Sequence, residues 1–222
     1  KRRLALFYSI VLTVLLYAVP YGEVIGYPLV LLSTLAHEMG HGIAAILVGG
    51  EFHKFMLYSD GSGVAYSSHS EGIPSALVSM GGLIGPAIVG AMFFAFASKG
   101  RYMFLALGVG LFLSEVLVVR NIFAFSFIAV VAFGFLWLAL RCEKPTQELA
   151  SYFLGIQLSL SVFSRGDYLF MKEARTANGV LPSDVSQISE ALFLPYWFWG
   201  GLCGLISILI LRWGLRHALR EL

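Results

Sequence analysis

His37, Glu38 and His41 are the residues of this chain whose types and spacing could do chemistry. They stand in the run His37-Glu38-Met39-Gly40-His41, inside a nearly unbroken apolar stretch from Tyr27 to Val48. Two imidazoles and a carboxylate are costly in such surroundings unless something binds them. On a helix, positions i and i+4 share a face, so His37 and His41 can offer ring nitrogens to one metal ion. Glu38, one position on, can reach a water held by that ion and take its proton. The chemistry this allows is metal-assisted hydrolysis with Glu38 as the base.

The elements that must carry these residues follow from composition. The chain has 222 residues, 58% of them apolar and 13% charged, with a mean hydropathy of +0.81. A soluble domain carries roughly 25% charged residues, so the deficit is about twofold. Candidate membrane spans fall at 4–19, 28–48, 74–98, 102–119, 122–140, 149–164 and 193–211, the first and sixth being short. The expected fold is an all-α, multi-pass integral membrane protein with about six to seven transmembrane helices, forming one polytopic domain over residues 1–222. Lys1-Arg2-Arg3 before the first run reads as the flank of a retained helix rather than of a cleaved signal, on a processed start. A net charge of +2 gives no basic surface to argue for nucleic acid, and none is expected as a partner. Cys142, in a short polar loop, and Cys203, in the last span, match no zinc-ligand spacing.

Residues 49–72 break the helical pattern. Gly49-Gly50 ends the His-bearing helix, and Ser59-Asp60-Gly61-Ser62-Gly63 is a turn flanked by Phe55, Leu57, Val64 and Tyr66. A β-hairpin is therefore expected after that helix, at the interface or lining a protein-walled cavity. In the next span, Gly81 and Gly85 lie four apart and Pro86 follows. Their small face is expected either to serve helix packing in general or to meet Gly40, Gly42, Ala44 and Ala45 of the His-bearing helix. Glu115 is an intramembrane acid, read either as functional or as locally paired with Arg120 or snorkelling near a helix end. The longest polar stretch, 165–192, contains Pro182-Ser183-Asp184 ahead of Val185, Ile188 and Leu192 at helical spacing, so Ser183 or Asp184 is the expected cap.

A catalytic zinc site has three protein ligands and an open position, and the helix supplies two. The candidates for the third are Asp184, Asp167, Glu115, Glu173, Glu190, His53, His69 and His217. His53 and His69 flank the expected hairpin as surface histidines commonly do, and His217 is near the terminus.

The run Ala36-His37-Glu38-Met39-Gly40-His41-Gly42 resembles the active-site helix of the site-2 protease superfamily of intramembrane zinc metalloproteases. Further motifs resemble its compact branch without a PDZ domain: Asp60-Gly61-Ser62-Gly63-Val64, Gly82-Leu83-Ile84-Gly85-Pro86, Arg120-Asn121-Ile122-Phe123, and Ser183-Asp184 with a helix toward Pro195 and Trp197. The ordered set spans most of residues 33–200. The resemblance implies Zn2+ as cofactor, Glu38 as catalytic base, and His37 and His41 as ligands. It also implies a membrane-spanning protein substrate met within the lipid bilayer. The superfamily's third ligand is an aspartate, usually in a Leu-Asp-Gly element that this chain lacks. The branch's Ser-Asp element makes Asp184 the first choice and leaves Asp167 second. Asn121 matches a position that could serve the substrate or an oxyanion.

Three other readings use the same residues. One is a membrane scaffold or chaperone that keeps the zinc site without cutting. Another is a metal-ion carrier, against which the scarcity of further intramembrane acids argues. The third is a prenyl-protein type of metalloprotease, with Glu190 or Glu173 as third ligand.

Overall fold

A computed structural model describes residues 2–164, 166–176 and 179–220. Lys1, Arg165, Ala177, Asn178 and the last two residues lie outside that description. Eight helices make up most of the chain: α1 (Arg2–Ala18), α2 (Gly22–Leu47), α3 (Ile73–Ala95), α4 (Gly100–Leu117), α5 (Ile122–Arg141), α6 (Lys144–Ser164), α7 (Asp184–Leu192) and α8 (Tyr196–Arg220). Two antiparallel hairpins interrupt them, β1 (Glu51–Leu57) with β2 (Gly63–Ser68), and β3 (Glu173–Thr176) with β4 (Gly179–Pro182). The first is the expected hairpin. The second has no clear strand pattern in the sequence, because its strands are only four residues each, Glu-Ala-Arg-Thr and Gly-Val-Leu-Pro.

Among the described residues, five helices are long and apolar enough to cross a membrane: α2, α3, α4 with the turn before it, α5 and α8. The protein is a multi-pass integral membrane protein. Five is fewer than the six to seven spans expected, and the two that fail are the first and the sixth. Helix α1 has 17 residues, about 26 Å at 1.5 Å per residue, against roughly 30 Å of hydrocarbon. Helix α6 is long but polar, with Gln147, Glu148, Ser151 and Gln157 buried. These two helices pair through hydrogen bonds instead: Gln157 Nε2 donates to Thr13 Oγ1 (2.9 Å), Tyr17 Oη to Gln157 Oε1 (3.1 Å), and Arg2 Nε to Glu148 Oε1 (3.1 Å). Polar groups sealed against each other in this way act as glue between helices.

Helix α3 is the most buried of the five and forms the centre of the fold. One side meets α2 through small residues. A Cβ added at Gly40 would lie 2.2 Å from the Gly81 carbonyl oxygen, and one at Gly85 would lie 2.5 Å from the Ala36 oxygen. Only glycine permits this approach, so the two small faces do meet. The other side of α3 packs on α7 and α8 through Ala76, Leu83, Val185, Ile188, Trp199 and Cys203. A nine-residue helix is unstable alone. The fully buried Val185 and Ile188 supply what propensity cannot, about 1.5–3 kcal/mol each.

Strand β1 does not offer a free outer edge. Phe55 N donates to Val118 O (2.7 Å) and Arg120 N to Phe55 O (3.1 Å), so the segment between α4 and α5 pairs with it. The β1–β2 turn is pinned to α2 by Thr34 Oγ1 donating to Gly61 O (2.8 Å) and Tyr27 Oη donating to Ser59 O (2.6 Å). Asp60 Oδ1 accepts from Ser62 N (2.9 Å) and Oγ (2.7 Å), and these bonds hold its carboxyl below the usual range.

Candidate metal centre

His37 and His41 sit within α2, one turn apart on the face toward α7, as i and i+4 positions must. Their Nε2 atoms lie 3.2 Å apart. Asp184 completes a triangle, with Oδ2 3.1 Å from His37 Nε2 and Oδ1 3.3 Å from His41 Nε2. Zinc bonds of 2.0–2.2 Å at tetrahedral angles separate ligand atoms by roughly 3.3 Å, so the donor set and its spacing fit zinc. Among the described residues these three form the one group able to hold a metal ion.

The surroundings aim the ligands inward. His41 Nδ1 lies 2.8 Å from Val78 O. A carbonyl can only accept, so Nδ1 carries a proton and Nε2 is the nitrogen turned to the triangle. Asp184 opens α7 and is buried. Burial by itself would raise its carboxyl, but His41 and His37 beside it hold it well below the ordinary range. The cap of α7 is Ser183, whose Oγ accepts from Ser186 N (3.3 Å) and donates to Met171 O (2.5 Å). Asp184 is thereby released from capping and turned toward the histidines.

Glu38 is buried beside this triangle. A Cβ added at Gly63 would stand 2.8 Å from Glu38 Cγ and 2.9 Å from Thr34 Cγ2, so β2 begins directly against the Glu38 side chain. His37 and Glu38 line a cavity of about 1030 Å³ that also reaches Asp60, Ser161, Tyr168 and Lys172. The lining is mostly apolar, but Ser33, Thr34, Asp60 and Ser161 along it are partners that water needs.

The remaining candidates are placed elsewhere. Asp167 lines the cavity, but its Oδ1 accepts from Tyr168 N (3.0 Å) and it does not join the triangle. Glu173 is at the cavity wall and Glu190 is exposed on α7. His53 contacts Ser68 and Glu51, His69 lies near Ser70 O, and His217 stacks on Trp213. Glu115 is buried away from the cavity with its Oε1 unpartnered, while Arg120 donates to the Val119 and Leu117 carbonyls. The expected local pairing of Glu115 with Arg120 is therefore not formed.

Asn121 is also off the cavity. Its Nδ2 donates to Leu57 O (2.6 Å) and its Oδ1 accepts from Leu57 N (3.3 Å), so both ends of the amide are spent on β1. Three contributors carried no sequence signal or an indirect one. Tyr168 lies in an unremarkable polar stretch. The Val78 carbonyl is backbone. Gly82, whose added Cβ would lie 2.2 Å from His41 Nε2, stands out in the sequence only within the motif Gly82-Leu83-Ile84-Gly85-Pro86.

A family model described as Peptidase M50B-like matches residues 7–214. The chain belongs to this family. It is a site-2 protease family, and membership supports a peptidase. Among the described residues the sheets are two two-stranded hairpins, with no PDZ-like fold. No curated protein and no solved structure matches the chain.

Proposed function

We propose that this M50B-like peptidase is a zinc-dependent endopeptidase that cuts membrane-spanning protein substrates, with His37, His41 and Asp184 as ligands and Glu38 as the base. The observation that carries the reading is the convergence of His37 Nε2, His41 Nε2 and the two Asp184 carboxylate oxygens at 3.1–3.3 Å beside a buried glutamate. A bound zinc ion supplies a more acidic water and a polarised scissile carbonyl.

The chain's own residues do the rest. Glu38 takes a proton from the attacking water as its oxygen bonds to the carbonyl carbon. The C–N bond then breaks, and Glu38 returns the proton to the departing amine nitrogen. The cavity walls admit the water. A substrate helix must first unwind, because its own backbone bonds hide the scissile carbonyl. Strand addition to the first hairpin would hold the opened segment. The β1 edge is taken by residues 118–121, which favours the edge of β2, the strand that starts against Glu38. Asn121 then serves the substrate indirectly, by fixing that hairpin.

The test is Glu38→Gln, assayed with a membrane-spanning peptide in bilayers and by metal analysis. Cleavage should fall by about 10²–10⁴-fold with zinc retained. Undiminished cleavage by the variant refutes the assigned base. Wild-type protein that holds zinc yet turns over no helical substrate favours the scaffold, and zinc uptake into vesicles favours the carrier.

A further inference from the structure

Tyr168 is a neutral side chain that meets the metal triangle. It lies in a 3-10 turn, Gly166–Phe170, between α6 and β3. Its hydroxyl donates to Asp184 Oδ2 at 3.2 Å, and its ring meets His37 edge to face, 6.0 Å between centroids at 78°. It therefore touches two of the three ligands at once. The turn is held on two sides. A Cβ at Gly200 would stand 1.8 Å from Leu169 O, so the turn lies on the backbone of α8. Beyond it, Ser183 N donates to Lys172 O (2.9 Å), Ser183 Oγ to Met171 O (2.5 Å) and Ser186 Oγ to Lys172 O (2.7 Å). These bonds staple the segment after Tyr168 to the first turn of the helix that begins with Asp184. The tyrosine turn and the aspartate are thereby tied together.

The hydroxyl has a consequence for coordination. A carboxylate can bind a metal through one oxygen or two. A four-coordinate catalytic zinc with three protein ligands keeps one position open for water, and a second oxygen from Asp184 would fill that position. Oδ2 also faces His37 Nε2 at 3.1 Å, but the hydroxyl takes up one of its lone pairs and weakens it as a donor, so Oδ1, the oxygen facing His41, is the stronger ligand atom. Residues that hydrogen-bond to a ligand in this way orient it and are worth about 10–100-fold in metal affinity.

We infer that Tyr168 is a positioning residue of the metal site, whose hydroxyl holds Asp184 as a one-oxygen ligand and so keeps a coordination position open for water. The inference rests on the zinc reading proposed above and deepens it.

The test is Tyr168→Phe, which keeps the ring against His37 and deletes the hydroxyl. Zinc affinity is measured by chelator competition, alongside the visible spectrum of the cobalt(II)-substituted protein, whose bands weaken as coordination rises from four to five. The expected result is about a 10–100-fold loss of zinc affinity with weakened cobalt bands. In an Asp184→Asn background, Tyr168→Phe should add no further loss, because the hydroxyl acts through that carboxylate. Wild-type zinc binding with unchanged affinity and an unchanged cobalt spectrum in Tyr168→Phe overturns this inference alone. Full additivity of the two substitutions also overturns it. A wild-type protein that binds no zinc overturns the zinc reading, and this inference with it.

Discussion

Gly82→Ala should remove the metal while leaving the fold intact. A Cβ at position 82 would stand 2.2 Å from both Cε1 and Nε2 of His41 and 2.7 Å from Cδ2. Non-bonded carbons rest at about 3.5–4.0 Å, so the ring must retreat by roughly 1.3 Å. Metal–ligand distances tolerate about ±0.2 Å, several times less than that retreat. His41 is also tied to Val78 O through Nδ1 at 2.8 Å, so the retreat breaks that bond or swings Nε2 out of the triangle. Losing one of three ligands should cost zinc affinity at least the ~100-fold at the upper end of outer-shell effects, about 2.7 kcal/mol. The clash falls on a side chain that can move, and alanine favours a helix over glycine by about 1 kcal/mol, so folding should survive. The assay is zinc retention by chelator competition on purified protein, with thermal stability measured in parallel. Gly134→Ala is the control, because nothing lies within 4 Å of its added Cβ. A Gly82→Ala protein that holds zinc as wild type does would refute the reasoning, since the ring would then have had room to spare.

Two further substitutions separate the parts of the site. Gly63→Ala brings a methyl to 2.8 Å from Glu38 Cγ and should lower kcat by about 10²-fold, the cost of a misplacement near 1 Å. Zinc content should be unchanged, so the variant mirrors Gly82→Ala, and loss of metal instead would contradict the geometry. Asn121→Ala removes both bonds to Leu57 and should cost about 1–3 kcal/mol of stability, with KM raised and zinc retained. Unaltered melting and kinetics would show that the hairpin does not depend on that amide.

His37, Glu38 and His41 were legible because helical geometry is local: residues four apart share a face whatever the rest of the chain does. The turn at Asp60–Gly63 and the small faces of α2 and α3 were legible for the same reason, since residue type at short range decides both. The apolar runs announced a membrane protein, but α1 and α6 were overcounted as spans. Their polar residues are satisfied by each other, which composition along a single run does not reveal.

Which acid joins the histidines was a choice that only tertiary structure made. Asp184 reaches them because Val185 and Ile188 bury α7 against α3 and α8, and because Ser183 takes over the cap. Asp167, the same residue type and nearer in sequence, lines the same cavity without converging. Asn121 shows the converse, a residue with a functional look whose amide is consumed by a strand distant in the chain. Local spacing determines what a helix can present, while the packing of distant elements determines what is presented to it.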